Sequence, residues 1–279
     1  MSSQKQKAEH FRAMHQAPPI LVLPNAWDVA SARIFETVGA RAIATSSAGV
    51  AFSLGYPDGE KIPRRSMIAT IARIAASVDV PVTADVEAGY GPGVADAIET
   101  AQAVIESGAV GLNFEDATND PAHPLFSVDE QRKRIDAVRD VGERAGIPLV
   151  INARTDVFLG KIGEPSTRFA EAVRRVIAYR QSGADCLFIP DVTDHATIQR
   201  LVREIGGPLN ILVGPGAPPV SELESMGVRR ISIGSQIMRA TLATARDAAR
   251  ELLEKGTYRG FLDRTIPYDE LNQLMGRRS

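Results

Sequence analysis

The sequence predicts an α/β protein folded as a (β/α)8 barrel of the TIM type, and three observations carry that reading. Eight short apolar, β-branched runs recur along the 279 residues. A longer amphipathic stretch, written with helical spacing, follows each run. The spacing is even and shows no linker, low-complexity segment or composition break, so residues 1–279 read as one barrel domain with an N-terminal helix and a C-terminal helical tail. A doubly wound open sheet uses the same units, but eight crossovers of one hand fit closure better.

In chain order the strand runs are Ile20–Leu23, Ala42–Thr45, Val80–Ala84, Val110–Phe114, Leu149–Asn152, Cys186–Ile189, Asn210–Val213 and Arg230–Ile233. Each is largely apolar rather than alternating, as suits a parallel strand covered on both faces. Helical patterns lie between them at Val29–Val38, Arg64–Ser77, Val94–Ser107, Val128–Ala145, Arg168–Gln181, Ala196–Ile205 and Ser221–Met226. Gly39, Gly108, Gly146, Gly183 and Gly227 stand where such helices end. The junctions GARAIAT, GAVGLNF, GIPLVIN, GADCLFI and GVRRISI each set a helix stop just before a strand. A last helical pattern, Gln236–Glu254, leads into FLDRTIPYDELNQLM. Phe261, Leu262, Ile266, Leu271 and Leu274 of that tail need a cover, from a neighbouring subunit or from the chain's own barrel.

With 44% hydrophobic and 24% charged residues, the chain can bury a full core. Its 32 basic and 34 acidic residues nearly cancel, and no block of five like charges occurs. This argues against nucleic acid or a membrane surface as the main partner. No apolar run approaches the roughly 18 residues of a membrane span. The opening MSSQKQKAEHFRAMHQ lacks the apolar core of a signal peptide, so a cytoplasmic location is expected. The single cysteine, Cys186, excludes an intrachain disulfide and a cysteine-based zinc cage, and suits a reducing compartment.

Chemistry in such a barrel sits at the carboxyl ends of the strands. The polar residues there are Asn25, Trp27 and Asp28, then Thr45, Ser46 and Ser47, then Asp85 and Glu87. Asn113, Glu115 and Asp116 follow, then Asn152, Arg154, Thr155 and Asp156, and finally Asp191. Asp85, Glu87 and Glu115 would repel one another unless a cation sat among them, and hard oxygen donors suit Mg2+ or Mn2+. The two-residue spacing of Asp85 and Glu87 places both on one face of an extended strand. The same carboxylates could instead cap helix starts or pair with Arg154. Arg154 can clamp a carboxylate bidentately, and neutralising Asp85 or Glu115 is compatible with that role. Ser46, Ser47 and Gly49 form a small polar turn that could bind a carboxylate or phosphate through backbone N–H groups, or be a plain loop.

None of the four histidines shows metal-ligand spacing. His10 and His15 read as solvated on the N-terminal helix, and His195 as the start of a helix. His123, in the long loop after the fourth strand, is the one that could reach a site. Neither a Gly-Lys-Ser/Thr phosphate loop nor a G-x-S-x-G elbow is present. GYGPG at Gly89–Gly93 reads as the start of a helix.

The segments PNAWDVASAR (24–33), TSSAGVAFSLGYPDG (45–59), TADVEAGYG (83–91), GLNFED (111–116), INARTD (151–156) and PLNILVGPGAP (208–218) carry a resemblance over nearly the whole chain. In that order they are similar to the isocitrate lyase/phosphoenolpyruvate mutase superfamily. The resemblance implies a barrel that exchanges its eighth helix with a neighbour, giving homodimers or homotetramers. It implies Mg2+ held by Asp85, with Glu87, Glu115 and Asp58 in its shell, often through water. It also implies a small carboxylic acid, a 2-oxo acid, bound by Arg154 and the Ser46/Ser47 turn. Trp27, Thr45 and Asn152 join that substrate set, and Arg154, Glu115, Asp58 and His123 form the catalytic one. The superfamily's shared step makes or breaks a bond beside a carboxylate-bearing carbon through a metal-stabilised enolate.

Two departures narrow the expectation. The carbon–carbon lyases of the superfamily carry a lysine-lysine-cysteine-glycine-histidine loop whose cysteine is the acid, whereas Glu115–Phe126 here contains neither cysteine nor lysine. The phosphonate enzymes use a lysine and an asparagine in that loop and a histidine after the sixth strand. Here Asn119 is present, but Pro190 and Asp191 occupy the strand-six position. The expected function is a Mg2+-dependent carbon–carbon lyase, or decarboxylase, of a small 2-hydroxy or 2-oxo dicarboxylic acid, with His123 or a metal-bound water as proton source. A phosphonopyruvate-type mutase or hydrolase and a silent 2-oxo acid binding protein are the alternatives. Trp27, Phe52, Tyr56, Phe158 and Phe188 are expected to shape the pocket.

Overall fold

Every strand pairing is parallel in the computed structural model, which describes residues 3–276. The strands are β1 (Leu21–Leu23), β2 (Asn25–Ala26), β3 (Ile43–Thr45), β4 (Val82–Asp85), β5 (Gly111–Glu115), β6 (Val150–Arg154), β7 (Cys186–Phe188), β8 (Leu209–Leu212) and β9 (Arg230–Ser232). All but β2 overlap a predicted run, and helices alternate with the runs. The sheet runs β1-β9-β8-β7-β6-β5-β4-β3-β2, a nearly closed TIM-type barrel.

The first predicted run, Ile20–Leu23, holds only β1, and a second short strand follows it because Pro24 has no N–H to donate and interrupts the ladder. Leu21–Leu23 pairs with β9 and Asn25–Ala26 pairs with β3. One broken stave therefore provides both lateral neighbours that closure requires. Asn25 fastens it: Nδ2 donates to the Thr45 carbonyl at 2.9 Å, and Oδ1 accepts from the Ile233 and Gly234 amides, each at 2.9 Å.

The predicted helix stops hold. Gly39, Gly108, Gly146, Gly183 and Gly227 all have φ between 68° and 97°, a region that a side chain strains. The small polar turn after β3 proves to be the start of a helix, Ser47–Ser53, with Ser46 Oγ accepting from the Gly49 amide at 3.1 Å. Glycine leads the chain from the GYGPG segment into the helix Val94–Glu106, as expected.

At the amino-terminal end the helix Gln4–Ala13 lies across the barrel. Phe11 is buried there with Leu21, Leu23, Ala44, Val110 and Val150 and plugs the ring. His10 is exposed, but His15 is completely buried, which corrects the expectation that both are solvated. The helix ends at Ala13, and the following turn carries the imidazole inward against the edge of Phe11, 4.8 Å between ring centroids. Its Nδ1 lies 2.8 Å from the Phe11 carbonyl and donates to it. Burial, and then the charge of Arg230, push the His15 pKa down to about 3, so the ring is neutral.

Beyond β9 the helix Gln236–Arg250 runs into a π-helical turn, Glu251–Lys255, and buries only Met238. The last helix, Tyr268–Gly276, returns to the helix Val29–Thr37, where Arg33 Nη1 donates to the carbonyls of Leu274 (3.1 Å) and Met275 (2.6 Å). The chain's own barrel thus half-covers Leu271 and Leu274, while Leu242, Leu252, Leu253, Leu262 and Ile266 stay exposed. Among the described residues no helix is long and apolar enough to cross a membrane.

Candidate active site at the carboxyl end of the barrel

Asp85 ends β4, and the new helix after β3 holds it. Its Oδ2 accepts from the Ser47 amide at 3.0 Å and from Ser47 Oγ at 2.9 Å, and its own amide donates to Thr45 Oγ1 at 2.8 Å. The Ser46/Ser47 turn is therefore spent on Asp85 and on its own helix cap. Asp85 Oδ1 is buried without a partner among the described residues.

Glu87 does not continue the strand. It has φ +52°, and a left-handed turn brings its carboxylate to the cluster. Glu87 Oε2 accepts from the Glu60 amide at 2.7 Å, and Oε1 is buried without a partner. Burial, then the charges of Asp85 and Asp58, push its pKa up to about 8. Asp58 is exposed at the rim, where partial burial of its inner side and the charge of Asp85 raise its carboxyl.

Glu115 and Arg154 end β5 and β6 and stand opposite each other in register, with Arg154 Nη1 2.7 Å from Glu115 Oε2. Burial pushes the Glu115 carboxyl up against the pull of Arg154. Arg154 also grips Asp156 bidentately, Nε–Oδ1 at 2.5 Å and Nη2–Oδ2 at 2.8 Å. Burial alone would lower the guanidinium's pKa, but Glu115 and Asp156 more than reverse that and hold it above the ordinary arginine value. Its guanidinium carbon lies 5.8 Å from the centre of the Phe188 ring. Beneath this ion pair, one interior step down each strand, Asn152 Nδ2 donates to Asn113 Oδ1 at 2.6 Å.

Trp27 is half-buried and packs edge-on against Phe35 at 6.2 Å. It also hems in the serine helix, since a Cβ on Gly49 would come within 3.1 Å of Trp27 Cβ. Phe188 is buried and Phe158 packs on the core, whereas Phe52 and Tyr56 are exposed. His123 sits apart from the carboxylate cluster: its side chain is 84% exposed, with Nδ1 3.1 Å from Asp120 Oδ2. Its loop is folded on itself through an Ala117–Leu125 bridge and lines a cavity of about 650 Å3 with Glu60, Gly91, Asn119 and Phe126.

Sequence reasoning missed Glu60. Besides its amide bond to Glu87, its Oε1 accepts from the Tyr90 amide at 2.7 Å and its Oε2 from Asn119 Nδ2 at 3.1 Å. It joins three loops from a position with φ +57°, and nothing in its local sequence signals this. Asp116 is a buried anchor: it accepts from Tyr179 OH (2.6 Å), Thr155 Oγ1 (2.7 Å) and Arg175 Nη1 (3.0 Å). Arg175 also donates to the Phe126 carbonyl at 2.8 Å, which pins the far end of the loop.

The donor set suits a hard cation. Asp85 Oδ1 and Glu87 Oε1 are carboxylate oxygens taken out of water and left unpaired, an arrangement that costs free energy unless a positive charge arrives. Among the described residues no three His, Cys, Asp or Glu side chains converge into a direct cage. A cation held by few protein oxygens and several waters fits, as Mg2+ prefers.

Residues 11–253 match the family model of phosphoenolpyruvate phosphomutase. The chain belongs to the phosphoenolpyruvate mutase family. A Burkholderia cenocepacia crystal structure provisionally named a lyase/mutase superposes with a TM-score of 0.92 at 35% identity, covering 98% of each chain. The 2,3-dimethylmalate lyase of Eubacterium barkeri is 28% identical over 96% of this chain and 94% of its own. Oxaloacetate acetylhydrolase, solved with its product oxalate, superposes with a TM-score of 0.87 at 25% identity over 99% of this chain and 96% of that one. Family membership places the chain in the isocitrate lyase/phosphoenolpyruvate mutase superfamily, an enzyme group containing both lyases and mutases.

Proposed function

We propose that the protein is a divalent-cation-dependent lyase that breaks a carbon–carbon bond in a small 2-hydroxy or 2-oxo dicarboxylic acid by way of an enolate. The observation that carries this reading is the pair of unpaired buried oxygens, Asp85 Oδ1 and Glu87 Oε1, in a mouth that also holds the Glu115–Arg154 ion pair. Asp85 would hold Mg2+ or Mn2+, with Glu87, Glu115 and Asp58 around it through water. When bound, the cation supplies the positive charge that an enolate oxygen needs as it develops.

The chain's own residues do the rest. Arg154 binds the substrate carboxylate by giving up part of its hold on Glu115 or Asp156, a trade of one carboxylate for another. Thr45 and Ser47 keep Asp85 in place, while Trp27 and Asn152 border the reacting acid. The folded loop after β5 carries His123, which returns the proton when the loop closes, or leaves that task to water. The relatives support this reading because dimethylmalate and methylisocitrate lyases are among them.

Phosphorus–carbon chemistry on phosphonopyruvate is the second reading. Asn119 favours it, since its amide reaches Glu60 at the edge of the mouth. The exposed apolar side chains on and beyond the helix Gln236–Arg250 support a homodimer or homotetramer in which a second copy covers them.

An NMR time course tests the proposal. Purified protein with Mg2+ would be given 2-methylisocitrate, 2,3-dimethylmalate, oxaloacetate and phosphonopyruvate. Pyruvate from a carbon substrate, abolished by a chelator, supports the lyase. Phosphate or phosphoenolpyruvate from phosphonopyruvate supports the second reading. No conversion of any substrate would sink both.

A further inference from the structure

Arg230 is fully buried inside the barrel on β9 and makes no ion pair with any carboxylate among the described residues. Its Nη2 donates to Asn113 Oδ1 at 3.1 Å, while Nε and Nη1 have no partner. A buried guanidinium without a counter-ion is unfavourable by itself, so its presence calls for a role.

The hydrogen bonds indicate one. Glu115 and Arg154 face each other across β5 and β6, and Asn113 and Asn152 face each other two residues earlier, where the pleat returns each side chain to the same face. The two asparagines are thus the floor beneath the ion pair. An amide side chain could turn either way, but a guanidinium can only donate. Arg230 therefore requires the oxygen of Asn113, and that same oxygen receives Asn152 Nδ2 at 2.6 Å. Asn113 spends its acceptor twice and keeps its Nδ2 group unengaged by any of the described residues, beside Asp85, its register partner on β4.

We propose that Arg230 is a positioning residue that locks the polarity of the Asn113–Asn152 pair, so that Asn113 presents its N–H donors to an oxygen of the bound carboxylic acid. The inference rests on the proposed 2-oxo or 2-hydroxy acid substrate class and names a further contact within that site. Asn113 would touch substrate, and Arg230 would act only through it.

The test is calorimetric titration of the full chain with oxalate in the presence of Mg2+, beside thermal melts. Arg230→Met and Asn113→Ala are each expected to weaken oxalate binding about tenfold, and the double variant no more than Asn113→Ala alone, because the first residue acts through the second. Arg230→Lys, still donor-only, is expected to recover most of the affinity. Arg230→Met is expected to melt at the same or a higher temperature, since an apolar side chain replaces an uncompensated buried charge. A purely structural arginine would lower the melt and leave oxalate affinity alone. Wild-type affinity in Arg230→Met, or single effects that multiply to about a hundredfold in the double variant, would overturn the inference while leaving the substrate class standing. Wild-type protein that fails to bind oxalate with Mg2+ would remove the substrate class, and the inference with it.

Discussion

At the amino-terminal end of the barrel, Phe11 packs among Leu21, Leu23, Val110 and Val150, and the His15 imidazole beside it is buried and neutral. At the carboxyl end, Asp58, Asp85 and Glu87 crowd together beside the Glu115–Arg154 ion pair, two carboxylate oxygens lack partners, and Glu87 holds its proton to about pH 8. The same strands run through both ends, so the contrast comes from the side chains placed on them. Apolar burial at one end stabilises the ring by roughly 25 cal/mol per Å2, which lets the other end keep an arrangement that is unfavourable by itself. Stability and proposed chemistry are thus separable along one axis, and substitutions can test how cleanly.

The largest separation is expected from Asp85→Ala. Mg2+-dependent turnover of whichever substrate the time course identifies falls by a factor on the order of 10³, with the metal-free melting temperature unchanged or raised. Retained turnover would break the assignment. Phe11→Ala is the converse, costing about 3–5 kcal/mol in urea unfolding through the cavity left in the plug, with little change in turnover per folded molecule.

Glu87→Gln sharpens the contrast through pH. The folded pKa of Glu87, about 8, exceeds the ordinary 4.5, so between these values the folded chain keeps a proton that the unfolded chain has lost. Its contribution to stability is therefore present below pH 4.5 and drains away as pH rises toward 8. The glutamine variant flattens that decline and gains about 1–3 kcal/mol at pH 8 in metal-free buffer, and Mg2+ added to wild type narrows the gap. His15 works in the opposite direction. Its pKa falls from 6.5 to about 3, so the unfolded chain binds the extra proton, and stability drops as pH falls below 6.5, by about 1.4 kcal/mol per unit. Unfolding curves of His15→Gln between pH 7 and 5 are expected to lose that slope; an unchanged slope would mean another group carries it.

The ring was legible because glycine-terminated helices and apolar runs alternate at a constant pitch. Asp85, Glu115 and Arg154 were legible because strand ends are where a barrel displays side chains. Four features were not. Glu60 and Glu87 meet through left-handed backbone at both positions, a conformation that non-glycine residues rarely advertise. His15 turns inward after a helix end that the sequence does not mark with glycine. Arg230 opens a strand run too short for its pattern to say which face looks into the barrel. The grip of Arg154 on Asp156 joins the same group, because two residues on one strand end can pair or diverge with equal ease.

The broken first stave has a mechanical consequence. Beyond the β1–β9 ladder, at the carboxyl end of the stave, one asparagine side chain bridges the seam: its oxygen takes two amides from the β9 side and its nitrogen reaches a carbonyl on the β3 side. That end of the seam behaves like the clasp of a bracelet: it can loosen at Asn25 by losing three hydrogen bonds while the β1–β9 ladder keeps the strands in register. Deuterium exchange would then enter at the amides of Ile233 and Gly234 before it reaches β9, and Asn25→Ala would turn an occasional gap into a standing one.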